Sequence, residues 1–139
     1  KGTLVGVAAV SATVAVTNGL KSATDRTRPN GLAQESFPSG HTSSPAVHTR
    51  LASRNLEAIA MSTGTRWALD AGLYVLTIGT SWARIEAGWH YPCDTLFSIA
   101  LGNFIASFVN DAFLGLDGNA SVSLAPIERG AIAQLQVRF

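Results

Sequence analysis

The stretch Ser81–Leu96, SWARIEAGWHYPCDTL, concentrates residues that could do chemistry. It places Arg84, His90 and Asp94 in one short segment, with Pro92 between the last two. Proline is tolerated in the first turn of a helix, where its missing N–H costs nothing, so a helix is expected from about Tyr91 onward. His90 then sits at the helix mouth and Asp94 one turn inside. A carboxylate four residues past a histidine can accept from one ring nitrogen and leave the other free to attack or bind. Arg84 adds a permanent cation whose forked donors suit phosphate oxygens. A capped helix corner with a surface arginine would also account for this segment.

Two upstream stretches decide between these readings. In KSATDRTRP, Lys21 and Arg28 are separated by six residues, so a lysine at a helix end and an arginine on the next loop can face one anion. Two cations near a helix C-terminus also favour the macrodipole, which is a purely structural role. In Pro38-Ser39-Gly40-His41, the glycine lets backbone approach a ligand and the following helix aims free N–H groups outward. Ser39 adds a hydroxyl donor, and His41 can give or take a proton. Together the three stretches supply two helix N-termini, three cations, two histidines and one carboxylate. That inventory serves phosphoryl transfer: charge for the equatorial oxygens, a nucleophile in line and a proton donor opposite.

The elements that must hold these residues are helical. Thr3 to about Thr24 is rich in Ala and Val and reads as a first helix, with Lys21 in its last turn. Arg28-Pro29-Asn30-Gly31 stops it, and Gly31 to Pro38 is a loop. Thr42-Ser43-Ser44-Pro45 opens a second helix that runs through Val47, Leu51 and Leu56. Ser62 to Thr65 connects to a third helix, Arg66 to about Ile85, carrying Trp67, Leu69, Leu73, Leu76 and Trp82. A fourth, Pro92 to about Leu114, is apolar almost all round and belongs at the centre of a bundle or in lipid. After a linker at Gly115–Asn119, Ser121–Pro126 and Ala131–Phe139 alternate apolar and polar residues around Glu128-Arg129-Gly130, the pattern of a β-hairpin. The expected organisation is a helical domain over 1–116 followed by a linker and hairpin tail over 117–139.

Composition narrows the function further. Of 139 residues only 14% are charged and 47% are hydrophobic, so most helical surface must be buried or face lipid. A formal charge of +1 gives no basic stripe for nucleic acid. The single cysteine, Cys93, excludes an internal disulfide and fits no zinc pattern. The uncharged runs Gly2–Leu20 and Thr95–Asn110 lie near or below the ~20 residues of a membrane span and suit buried bundle helices as well. The chain opens at Lys1 without a methionine, as expected of a fragment or processed product.

The ordered set KSATDRTRP, PSGH and SWARIEAGWHYPCD resembles the three-part signature of the type 2 phosphatidic acid phosphatase family. The wider superfamily takes in bacterial acid phosphatases and vanadium-dependent haloperoxidases. The resemblance covers Lys21 to Asp94 and the helix to Leu114. It implies an all-α antiparallel bundle with the site at one end. It further implies that His90 is the nucleophile forming a phosphohistidine, that Asp94 orients it, and that His41 protonates the leaving oxygen. Lys21, Arg28 and Arg84 would hold the phosphate with Ser39 and the Gly40 amide. No metal or other cofactor is implied, although vanadate could occupy the phosphate site.

The expected activity is therefore hydrolysis of a phosphate monoester or pyrophosphate, lipid- or isoprenoid-linked, at a bacterial-type envelope, periplasmic or membrane-associated. A vanadium-dependent haloperoxidase and a non-catalytic anion-binding envelope domain are the alternatives. The sequence departs from the family at Ser81, which is not adjacent to Arg84, and at Cys93, where serine is frequent; a small packed residue is expected there. His48 is expected to be a hydrogen-bonded core histidine, and Trp82 and Trp89 packed residues beside the entrance. Nothing in the sequence fixes the oligomeric state.

Overall fold

A computed structural model describes residues 2–114, 120–127 and 130–137, with side chains up to Phe113. Four helices carry the fold: α1 (Gly2–Thr24), α2 (Gly40–Glu57), α3 (Thr63–Glu86) and α4 (Pro92–Leu114). The all-α expectation holds. α2 begins two residues earlier than expected, with Ser39 as its N-cap, so Pro45 lies inside the helix rather than at its start. Its ring removes the hydrogen bond that would otherwise reach the His41 carbonyl. α3 starts at Thr63 because the Ser62 side chain accepts from the Thr65 N–H and caps it.

The ends of α1 and α3 meet the beginnings of α2 and α4 at one end of the bundle, so the helices run up and down in turn. α2 is central and touches the other three. It lies parallel to α4, and at their crossing a Cβ on Gly102 would come within 2.8 Å of both the Ala46 Cβ and the Ser43 carbonyl oxygen. Only glycine allows this approach. Ala9, Val47 and Ala106 form the small centre, flanked by Val10, Leu51 and Val109.

Much of the rest of the interior is polar. Thr17 bonds Ser43 (3.1 Å), Thr49 bonds Thr77 (2.9 Å), the Arg50 Nε donates to Ser107 (2.8 Å), and Arg54 pairs with Asp111 (2.6 Å). The outside is apolar: Trp67 is 73% exposed, Trp82 64% and Phe104 66%, with Val75, Leu76, Ile78 and Leu96 exposed beside them. The two apolar runs, which suited buried bundle helices as well as membrane spans, are mostly not buried within the chain's own bundle. α1 and α4 are long and apolar enough to cross a membrane, and only 22% and 33% of those spans are buried. Trp82 is likewise not packed.

The C-terminal hairpin is not supported as part of the fold. Residues 115–119, 128 and 129, which hold the proposed domain boundary and the turn, lie outside the described residues. The antiparallel pairing of Ala120–Ile127 with Gly130–Val137 is a backbone trace alone and carries no part of the assignment.

Candidate active site

The residues picked out by the three motifs converge on the end of the bundle where α1 and α3 finish and α2 and α4 begin. Pro92 is the first residue of α4, and the Tyr91 carbonyl accepts from the Asp94 and Thr95 N–H groups, making Tyr91 the N-cap. Asp94 is therefore the third helical residue, and its carboxylate reaches back to the Tyr91 N–H at 2.9 Å, one half of a capping box. His90 lies immediately before the cap and is 2% exposed.

His90 and Asp94 share no hydrogen bond, which corrects the direct orienting contact expected from their spacing. The carboxylate is turned toward the loop before α2. It accepts from the Ser36 hydroxyl (2.5 Å) and the Arg26 Nη1 (2.6 Å) as well as from Tyr91. His90 Nδ1 instead meets the backbone carbonyl of Ser36 at 2.6 Å. A carbonyl only accepts, so Nδ1 carries the hydrogen and the neutral ring keeps its lone pair on Nε2. Ser36 is thus the link: its hydroxyl donates to Asp94 while its carbonyl holds His90. Its own N–H donates to the Arg26 carbonyl at 2.7 Å.

Sequence reasoning missed both Ser36 and Arg26. Arg26 was visible as a second arginine inside KSATDRTRP, and Ser36 only as a small residue in the stretch leading to Pro38. The Phe37–Pro38 peptide is cis, and Glu35 just before it is left-handed at φ 65°. The Glu35 carbonyl accepts from the Lys21 Nζ at 3.0 Å, fixing the lysine at the end of α1.

Ser39 caps α2 without using its side chain: its φ of −81° and ψ of 107° are extended, and its carbonyl receives Thr42 and Ser43. Its N–H donates to Ser98 Oγ at 2.7 Å, while its own Oγ is buried with no hydrogen-bond partner. Gly40 and His41 follow in the first turn, whose N–H groups have no intrahelical acceptors. A Cβ on Gly40 would meet only Thr17 Cγ2 at 3.8 Å, so packing within the protein does not demand glycine there. The Nε atoms of Arg28 and Arg84 are also buried without hydrogen-bond partners. Both guanidinium groups lie on the Trp89 ring, with Cζ 4.7 and 5.0 Å from its centroid.

The electrostatics follow from this crowding of positive charge. Burial pushes the His41 pKa below its ordinary value, and Arg84, Lys21 and Arg28 push it the same way. Burial also lowers that of His90; the Ser36 carbonyl opposes this, while Lys21 and Arg84 add to it and Asp94 opposes it. The two histidines are therefore shifted in the same direction, not apart. Both are neutral near pH 7 in the free protein.

Other expectations are corrected here. His48 bonds the Ser44 carbonyl at 2.7 Å as expected of a satisfied histidine, but it is exposed rather than in the core. Cys93 is exposed and meets Arg26 Nη1 at 3.2 Å, so it is not a packed residue. Ser81 is buried and bonds the Thr77 carbonyl one turn back. At the histidine end His41 is exposed, while His90, Ser39 and Asp94 are buried. Two apolar grooves of about 660 Å³ lie elsewhere, one beside Leu56 and Leu73 and one beside Val7 and Leu51, and neither includes His41 or His90. Among the described residues no cluster of His, Cys, Asp or Glu has the form of a metal site.

No curated protein and no solved structure matches the chain. The profile of the PAP2 superfamily matches residues 2–114, a span that holds all three motifs and all four helices. The chain belongs to the PAP2 superfamily.

Proposed function

We infer that this protein is a phosphoric ester hydrolase that works through a phosphohistidine on His90, without a metal. The observation that carries the reading is the His90 hydrogen bond. With Nδ1–H given to the Ser36 carbonyl at 2.6 Å, the reactive lone pair is on Nε2. The buried, unpartnered Ser39 Oγ and the Arg28 and Arg84 Nε atoms give donors for phosphate oxygens, joined by Lys21 and the Gly40 N–H.

The chemistry balances as two displacements. Nε2 attacks phosphorus as the bond to the leaving oxygen breaks, and His41 supplies the proton that oxygen needs. Water then attacks the phosphohistidine with His41 taking its proton, which releases inorganic phosphate and restores His90. Burial, and then Arg84, Lys21 and Arg28, lower the His41 pKa in the free protein. A phosphate dianion bound among those cations offsets them and raises its proton affinity, so substrate charge itself arms the acid.

The surface supports a lipid-linked substrate class. Apolar side chains outside and hydroxyl pairs inside reverse the pattern of a water-soluble domain and fit a bundle set in a bilayer, where close packing replaces an apolar core. Lipid and isoprenoid phosphates or pyrophosphates would reach the histidine end from the membrane surface, which suits an enzyme of the cell envelope. The test is a hydrolysis screen over lipid phosphates, pyrophosphates and soluble esters with the detergent-solubilised chain, with and without EDTA. Hydrolysis that survives EDTA and is inhibited competitively by vanadate is expected. Loss of activity on chelation, restored by a divalent ion, would refute the metal-free mechanism. Bromide oxidation by peroxide in the vanadate-loaded protein, with no ester hydrolysis, would favour the haloperoxidase alternative.

A further inference from the structure

The corner between α3 and α4 is a Schellman cap. Gly88, at φ 68°, donates its N–H to the Ile85 carbonyl (2.9 Å), and Trp89 donates to the Arg84 carbonyl (3.1 Å). This geometry returns the residue after the glycine over the residue five positions earlier, where two apolar side chains commonly meet. Here the pair is Trp89 and Arg84. The Gly88 carbonyl also accepts from the Asn30 N–H at 3.0 Å, which fastens the loop carrying Arg28 to the same corner. One indole therefore meets the guanidinium groups of two different motifs, at 4.7 and 5.0 Å. Among the described residues neither arginine forms a salt bridge.

The geometry points to Trp89 as a positioning residue that holds Arg28 and Arg84 at a fixed separation for a single phosphate group. This rests on the phosphate reading of the site. Two guanidinium groups aimed at one point repel each other until the anion arrives. A carboxylate between them would relieve that repulsion but would occupy their donors and compete with the phosphate. The face of an aromatic ring attracts both cations, carries no net charge and leaves their N–H groups free. At the position where the cap commonly brings an apolar pair together, Trp89 carries two cations on its ring.

The test uses the full chain in detergent, with inorganic phosphate as the probe in calorimetry and nitrophenyl phosphate in kinetics. Trp89→Leu is expected to weaken phosphate binding on the order of tenfold, the loss of two partly buried cation–π contacts. KM for the aryl ester should rise alongside, with kcat changed by less than about threefold, since the clamp holds ground state and transition state alike. Trp89→Phe keeps a smaller ring face and should fall between the two. If Trp89→Leu does not fold, as judged by circular dichroism, an intermediate affinity for Trp89→Phe carries the inference and an unchanged one overturns it. Wild-type affinity in Trp89→Leu would overturn the inference while leaving the phosphate reading standing. Equal losses in the Leu and Phe variants would also overturn it, because the indole N–H or the cap packing would then be responsible. A wild-type chain that binds neither phosphate nor ester would sink the underlying reading instead.

Discussion

Replacing Asp94 by asparagine separates two ways in which a carboxylate can serve His90. In the structure the carboxylate accepts from Ser36, Arg26 and Tyr91, and reaches His90 only through Ser36. An amide can keep one neutral acceptor toward Ser36 and Tyr91, but its NH₂ then faces the Arg26 guanidinium. The Ser36 bond survives but loses its charge assistance, which takes it from about 1.5–3 kcal/mol to about 0.5–1.5 kcal/mol. The Arg26 pair adds little, because that side chain is 41% exposed and can turn to water. A stability loss of about 1–2 kcal/mol follows from the weakened Ser36 bond.

The rate is the sharper measure. The Ser36 carbonyl belongs to the backbone and is held by its own N–H bond to Arg26, so the His90 tautomer survives in Asp94→Asn. A slackened Ser36, worth about one hydrogen bond, costs on the order of tenfold in kcat. Where a carboxylate directly holds the reacting histidine, the same change costs roughly 10⁴-fold. Ser36→Ala cuts the same link from the other side, so it should match Asp94→Asn, and the double variant should lose little more than either single one. The assay is kcat on a soluble aryl phosphate for all three variants, with folding checked by circular dichroism and thermal melts. A loss of 10³ or more in a folded Asp94→Asn, with Ser36→Ala near wild type, would show that Asp94 grips His90 directly during the reaction.

Four further outcomes are expected. Burial and the surrounding cations hold the His90 pKa below 6.5, so the acid limb of kcat/KM, where the nucleophile gains a proton, should lie below pH 6.5 in a pH–rate profile. For stability the sign is the same: both folded histidines bind protons less readily than unfolded ones, so stability is full above pH 6.5 and falls as pH drops through 6.5 toward the lowered values, read from melts across that range. His41→Ala should slow alkyl phosphate hydrolysis by about 10²–10⁴ and cost a nitrophenyl ester far less, whereas His90→Ala should abolish both; equal losses on both esters for His41→Ala would remove it from the acid role. Gly102→Ala drives a Cβ to 2.8 Å from Ala46 and the Ser43 carbonyl and should cost about 1–3 kcal/mol in unfolding experiments, since backbone blocks its relaxation.

The motifs were legible because their constraints are local. Proline at the first position of α4, serine at the cap of α2 and lysine in the last turn of α1 each follow from helix-end chemistry, and three helix ends at one pole of an up-and-down bundle bring them together. What the sequence hid is directional. A spacing of four places Asp94 near His90 but does not say which way the carboxylate turns. The answer lies in Arg26 and Ser36, more than fifty residues away in the chain, and only the folded loop delivers them. The histidine shifts were misjudged for a related reason. The acid and base roles called for opposite shifts, but in the free protein burial and the three cations proposed to hold the phosphate push His41 the same way as His90.

The burial pattern was misjudged because periodicity reports that a helix has an apolar face and not what covers it. α3 places Trp67, Val75, Leu76, Ile78 and Trp82 outward and Thr77 and Ser81 inward, so its apolar stripe faces away from the bundle. Only seven apolar side chains are buried among the described residues, and four of them are alanines. So small a core contributes little hydrophobic stabilisation in water. Hydroxyl pairs such as Thr49–Thr77 and the close Gly102–Ala46 contact must then carry the packing, and they do so best where the helices are not surrounded by water. Two of the motif cations, Lys21 and Arg84, lie in the last turns of α1 and α3. On the proposed reading, with lipid around the middle, the histidine pole is where such a bundle would keep Lys21, Arg28 and Arg84 within reach of the headgroup of a lipid phosphate.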